Sequence, residues 1–140
     1  MEEFLRDSRF YLNDSSFEEE INALADRRLA GEPIAYITGE WEFYGIPVTV
    51  TGDVLIPRID TEVLVNAAIE LLILREPDRR VLDLCAGSGC VGMALAANVP
   101  SCRVVLADNS KEALAVCRSN LMKNRLTRPE RYLIGVKDRR

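Results

Sequence analysis

The sequence predicts an α/β protein, part of a parallel doubly wound sheet preceded by a helix and a β-hairpin. Three observations lead there. Short apolar runs from Val81 to Cys85 and from Arg103 to Ala107 are each followed by a turn and then a helical stretch, Val91 to Val99 and Lys111 to about Lys123. Strands alternating with helices at this spacing pair in parallel through right-handed crossovers. The first strand-to-helix turn is glycine-rich, Ala86-Gly87-Ser88-Gly89, so a ligand can approach its backbone. Finally, 140 residues that are 48% apolar and 29% charged suit one packed core and are too apolar for a disordered chain.

Taken in order, residues from about Ser16 to Ala30 place Phe17, Ile21, Leu24 and Ala25 on one helical face. Ser15 and Glu18 stand at capping-box spacing, and Gly31 follows the end. Two strand-like runs, Trp41 to Tyr44 and Ile46 to Val50, flank Gly45 and predict a hairpin. After Pro57 the period becomes helical, with Leu64, Ala67, Ala68, Leu71 and Leu72 in register until Pro77. Beyond the two strand–helix units, Tyr132 to Val136 supplies at best one more strand. The expected divisions are residues 1–36 (helical), 37–56 (hairpin) and 57–140 (partial sheet domain).

Composition excludes several function classes. The apolar stretch from Ala67 to Leu74 is interrupted by Glu70 and is far shorter than the roughly 20 residues that span a bilayer. The N-terminus, Met1-Glu2-Glu3-Phe4, lacks a signal-peptide pattern, so a cytoplasmic location is expected. Cys85, Cys90, Cys102 and Cys117 show no Cys-x-x-Cys spacing and histidine is absent, so no metal site is expected. These cysteines read as small buried apolar side chains. The net charge of −4 argues against a broad nucleic-acid face. From Lys123 to Arg140, seven basic residues stand against two acidic ones, which leaves −9 for the rest, and this basic end reads as a solvated terminus. Trp41, Phe43 and Tyr44 read as packing rather than as a base-stacking platform.

The candidate site is the segment Asp83-Leu84-Cys85-Ala86-Gly87-Ser88-Gly89, together with Asp108 nineteen positions after Gly89. A carboxylate at the end of the second strand can accept hydrogen bonds from both hydroxyls of a ribose. Gly87, Gly89 and Gly92 also match the Gly-x-Gly-x-x-Gly dinucleotide pattern. A dinucleotide would set a pyrophosphate beside Asp83, whereas S-adenosyl-L-methionine has no phosphate and brings a cationic sulfonium and an amino group. Asp83 suits the cation. Both carboxylates have a plainer use as well: Asp83 as an acceptor for backbone amides, Asp108 as a cap of the following helix.

Three further segments carry a specific resemblance. Arg28-Leu29-Ala30-Gly31-Glu32-Pro33-Ile34-Ala35-Tyr36-Ile37-Thr38-Gly39, then Glu42-Phe43-Tyr44-Gly45, then Leu55-Ile56-Pro57-Arg58-Ile59-Asp60-Thr61-Glu62 are similar in order and spacing to the region preceding the catalytic core of release factor glutamine methyltransferases. That family usually reads Ile-Pro-Arg-Pro-Glu-Thr-Glu in the last motif, so Ile59 and Asp60 depart from it. Ala86 replaces the threonine or glycine usual in the loop. The resemblance covers roughly Phe17 to Asn124. It implies a partial Rossmann-like class I methyltransferase sheet, S-adenosyl-L-methionine as cofactor held by Asp83, Cys85, Ala86, Gly87, Ser88, Gly89 and Asp108, and a peptide chain release factor as partner. Arg58 and Thr61 would border the cofactor. Residues 1–36 would be what is left of a helical substrate-docking region.

Family members methylate the glutamine amide of a Gly-Gly-Gln motif and position it with an Asn-Pro-Pro-Tyr loop. No Asn-Pro pair occurs in the 140 residues. The resemblance therefore implies a fragment inactive by itself, with no catalytic residue assigned, and an unpaired sheet edge that favours a homodimer. Other readings are a non-catalytic nucleotide-binding or assembly module, or a fragment of an amino methyltransferase acting on DNA adenine.

Overall fold

The computed structural model describes residues 15–75, 79–126 and 132–136. The chain divides into two compact units, Met1–Thr38 and Gly39–Arg140. Among the described residues no helix is long and apolar enough to cross a membrane.

In the first unit, α1 (Ser15–Leu29) ends at Gly31, whose φ of +94° suits a residue without a Cβ. The Gly31 amide donates to Arg28 O and the Glu32 amide to Arg27 O, the paired closing bonds of a Schellman motif. Arg27 also forms a bidentate ion pair with Glu32. The short α2 (Ile34–Thr38) follows and packs on α1. The face expected to be apolar does exist, but Ile21, Leu24 and Ala25 are exposed and Phe17 is only half-buried. Among the described residues only the five-residue α2 packs against it, and that is too small to cover the face.

The second unit opens with the hairpin β1 (Glu40–Phe43) and β2 (Ile46–Thr49), antiparallel with Phe43 opposite Ile46. Its two-residue turn, Tyr44 at φ +54° and Gly45 at φ +71°, has both central residues left-handed, which matches the twist of paired strands. Glu62 supports this strained backbone by accepting the Tyr44 amide at 2.9 Å, and the Tyr44 hydroxyl donates to Asn66 Oδ1 at 2.6 Å. Phe43 is buried in the core and Tyr44 half-buried, in keeping with a packing role. Trp41 is exposed, which corrects the expectation for that residue: side chains alternate along a strand, so it shares the face of Phe43 two positions on, but it lies beyond the covered part of the hairpin.

Next come α3 (Thr61–Ile73), β3 (Arg80–Leu84), α4 (Cys90–Asn98), β4 (Arg103–Asp108), α5 (Lys111–Lys123) and β5 (Tyr132–Val136). The strands form a parallel sheet in the order β3-β4-β5, with Val81 opposite Val104 and Val104 opposite Tyr132. The third apolar run is thus a strand of the same sheet. The basic residues at 127–131 and 137–140 lie outside the described residues.

The expected face of α3 needs correction. Val65 and Leu72 are buried, whereas Leu64, Ala67 and Leu71 are exposed. This helix is apolar on two sides, so its period alone left two candidate faces, and packing against α4 selected the one carrying Val65. Arg79 ends the helix by donating from Nε to Leu72 O at 2.7 Å and from Nη2 to Ile73 O at 3.3 Å.

Candidate functional site

The site lies at the carboxyl ends of β3 and β4, where open α/β sheets bind ligands. β3 leads into Cys85, which is exposed and left-handed at φ +65°, and the chain then turns through Ala86, Gly87 and Ser88 to Gly89, the N-cap of α4. Two backbone bonds hold this turn, Ala86 N–H to Ala107 O at 3.0 Å and Gly89 N–H to Ala86 O at 2.7 Å.

The three glycines differ in what they make room for. A Cβ on Gly89 would lie 2.6 Å from Cys117 Sγ, and one on Gly92 would run into the Leu106 side chain and come within 3.1 Å of Asp83 Oδ2. Both are needed for protein packing. A Cβ on Gly87 would meet nothing within 4 Å, so its backbone alone is open to a ligand. Its φ of +53° further favours glycine.

Two carboxylates flank this opening. Asp108 Oδ2 accepts the Gly87 amide at 2.9 Å and Oδ1 accepts the Ser110 amide at 3.0 Å. Burial alone would raise the Asp108 carboxyl, but the amides of Ser110, Gly87 and Asn109 outweigh it and hold the group below the usual range. It is an ionised acceptor at neutral pH, and carboxylate oxygens have lone pairs to spare beyond these two bonds. The cap of α5 is Ser110, whose Oγ accepts the Ala113 amide at 3.0 Å, so Asp108 does not itself cap that helix.

Asp83 Oδ2 accepts the Gly92 amide at 2.9 Å. Gly89 has no side chain with which to cap α4, and Asp83 fills that role from the strand below. Burial pushes the Asp83 carboxyl up; the Gly92 amide opposes this and the nearby Asp108 charge adds to it. A cation beside Asp83 would relieve this raised state. The residues present thus make an open backbone cradle at Gly87, an ionised acceptor at Asp108 and a part-buried carboxyl at Asp83, a set whose chemistry suits a ligand with hydroxyl groups and a positive charge.

Ala86 and Ser88 are buried, while Cys85 is exposed, which corrects the expectation that all four cysteines are interior. Its place at the strand's end points it out of the packed layer. Burial raises the Cys90 thiol and pushes Cys117 up to about 12, so both stay protonated. Arg58 is exposed, and its carbonyl accepts the Thr61 amide at 3.0 Å in the turn that starts α3. Among the described residues no cluster of three His, Cys, Asp or Glu could hold a metal.

Sequence reasoning missed Asn120. It occupies a buried position of α5, in register with Ala113, Leu114, Cys117 and Leu121, and donates from Nδ2 to Ser88 O at 3.0 Å. An asparagine in an apolar helical stripe was the signal available.

The family model described as methyltransferase small domain matches residues 59–135. A release factor glutamine methyltransferase of Haemophilus influenzae is 40% identical over 125 residues, 81% of this chain and 43% of that protein. The protein of the same name from Escherichia coli is 41% identical over 102 residues, 73% of this chain and 36% of its own length. A bifunctional methyltransferase of Rickettsia typhi is 38% identical over 136 residues, 83% of this chain and 26% of that protein. The chain spans less than half the length of these curated relatives. Among solved structures, a SAM-dependent methyltransferase of Agrobacterium tumefaciens superposes with a TM-score of 0.57 at 17% identity, covering 71% of this chain and 33% of that one. A tRNA (uracil-54, C5)-methyltransferase of Pyrococcus abyssi, in complex with S-adenosyl-L-homocysteine, gives 0.54 at 19%, covering 71% and 23%. At such identity these superpositions speak to the fold, an α/β sheet flanked by helices of the Rossmann-like methyltransferase type.

Proposed function

Because the chain belongs to the methyltransferase small domain family, we propose that its second unit is an S-adenosyl-L-methionine-binding module related to release factor glutamine methyltransferases. The observation that carries this reading is the open Cβ position of Gly87, whose amide Asp108 accepts, in the turn that follows Asp83. Bound there, the cofactor supplies an electrophilic methyl group. The chain's own residues bind and orient it. Asp108 accepts from hydroxyl groups of a ribose while anchoring the Gly87 amide, and Asp83 offers negative charge to the cationic portion. The backbone of Cys85, Ala86, Gly87, Ser88 and Gly89 forms the floor.

The dinucleotide reading has one point in its favour, since Gly92 serves close helix–strand packing as the third glycine of that pattern does. Asp83 argues against it, because a carboxyl group at the end of the preceding strand gives a pyrophosphate no cationic partner. Calorimetric titration with S-adenosyl-L-homocysteine and NAD side by side separates the two. Binding of the first alone is expected; binding of NAD alone would reverse the assignment.

The proposal extends to partners by kinship. The protein acceptor is a peptide chain release factor, as the names of the relatives suggest. The 140 residues contain no Asn-Pro-Pro-Tyr run to hold an acceptor amide. Positioning of that kind is worth on the order of 7–11 kcal/mol, so the chain alone transfers no methyl group. Radiolabel appearing on the Gly-Gly-Gln glutamine above a no-enzyme control would refute this. The location is proposed to be cytoplasmic. Self-association into a homodimer is proposed as well, because β3 pairs on one side only among the described residues and its Leu82 and Leu84 leave an uncovered apolar face there.

A further inference from the structure

Asn120 joins two parts of the second unit that are far apart in sequence. Its side chain is 0% exposed, and its whole carboxamide is engaged: Oδ1 accepts the Thr49 amide at 2.7 Å, while Nδ2 donates to Thr49 O and to Ser88 O, both at 3.0 Å. The pair of bonds to Thr49 reproduces what a neighbouring strand would make, on the edge of β2 turned away from β1. One helical turn on, Asn124 Nδ2 donates to Pro47 O at 2.9 Å and extends this side-chain ladder along β2. The remaining donor of Asn120 goes to Ser88, between Gly87 and Gly89.

Burying a carboxamide in an apolar stripe is costly unless every bond is made. Here the bonds are made, and to two backbones. The loop is therefore held from both sides of Gly87: its amide by Asp108 at 2.9 Å, and the next carbonyl by Asn120. We propose that Asn120 is a positioning residue for the cofactor loop, which makes the hairpin and the Gly87 cradle one mechanical unit, so that cofactor binding and the ordering of β2 are linked. The link to binding rests on the cofactor reading above; the mechanical coupling does not. Linkage is reciprocal, so a ligand that favours the ordered loop must also steady β2.

The test combines amide hydrogen exchange with calorimetry. In the unliganded chain, Asn120→Ala should speed exchange at Thr49, Gly87 and Gly89 together, whereas Asn124→Ala should loosen the hairpin alone. S-adenosyl-L-homocysteine should slow Thr49 exchange in the wild type. Asn120→Ala should bind it about tenfold more weakly and lose that response, while Asn124→Ala should bind normally. Should the alanine variant fail to fold, Asn120→Asp is nearly isosteric; it keeps the acceptor for Thr49 but turns an oxygen toward the Thr49 and Ser88 carbonyls, and the same loss is expected. Wild-type affinity in either Asn120 variant, or exchange that rises at Thr49 with the loop unchanged, overturns the proposal. A wild-type chain that binds no S-adenosyl-L-homocysteine overturns the cofactor reading and the linkage to it, while the unliganded exchange pattern decides the mechanical coupling on its own.

Discussion

The two faces of the parallel sheet differ sharply in how they are covered. On one, Val104 and Leu106 of β4 lie fully buried beneath α4, whose Gly92 lets the helix settle against them and against Asp83. On the other, Leu82 and Leu84 of β3 are 62% and 69% exposed. Parallel sheets are ordinarily covered on both faces. The covered face is where the fold gains its stability and where the loop is anchored; the open face adds apolar surface that stabilises nothing within the described residues.

Unfolding in urea gives the sharpest test of this contrast. Leu106→Ala should cost about 2–5 kcal/mol, the range for a buried leucine whose site cannot collapse, whereas Leu84→Ala should stay within about 0.5 kcal/mol. Equal costs would mean that the second face is covered in solution.

The loop should divide the same way. Gly89→Ala drives a Cβ toward Cys117 and should destabilise by about 1–3 kcal/mol, in addition to the strain of a φ of +81°. A Cβ at Gly87 meets no protein atom within 4 Å, so the stability cost of Gly87→Val should come mainly from backbone strain of about 1–2 kcal/mol, yet binding of S-adenosyl-L-homocysteine should be lost. Thermal melts and calorimetry on both variants read this out. A Gly87→Val chain with unchanged affinity would place the ligand elsewhere.

A smaller effect with a defined sign is expected at Asp83. Its carboxyl is raised in the folded chain, so the folded state holds the proton more tightly than the unfolded state, and this contribution to stability is lost as pH rises through the folded pKa. Asp108 works in the opposite direction: its carboxyl is lowered, and the stability it contributes is lost as pH falls through its folded pKa. Asp83→Asn keeps an acceptor for the Gly92 amide and removes the buried charge. The variant should be at least as stable as the wild type at neutral pH but bind S-adenosyl-L-methionine more weakly. Denaturation and binding curves measured across pH check both halves, and a variant that loses stability at neutral pH would show that the charge itself holds α4.

The least perturbing change is Leu82→Ser combined with Leu84→Ser. Folding stability should shift little, while self-association seen by light scattering should fall. Unchanged association would move the contact away from this face.

Much of the architecture was legible in the residues. Hairpin, strand–helix alternation and parallel pairing followed from apolar runs, glycines and turn chemistry, because these are local effects of a few neighbouring residues. Asp83 and Asp108 were legible for the same reason, since each sits at the end of a strand whose run of apolar residues announces it, and Gly87 by its place in the glycine turn that follows the first. Period did not choose the buried face of α3, where either of two apolar stripes could turn inward until α4 packed against one. Nor could spacing show that Gly89 and Gly92 serve the protein's own packing while Gly87 stays open, because the atoms that decide it come from Cys117, Val104 and Leu106. Asn120 is the fullest case: the sequence fixes an asparagine in an apolar stripe, but its partners Thr49 and Ser88 are 71 and 32 positions away, and only folding brings those carbonyls within reach.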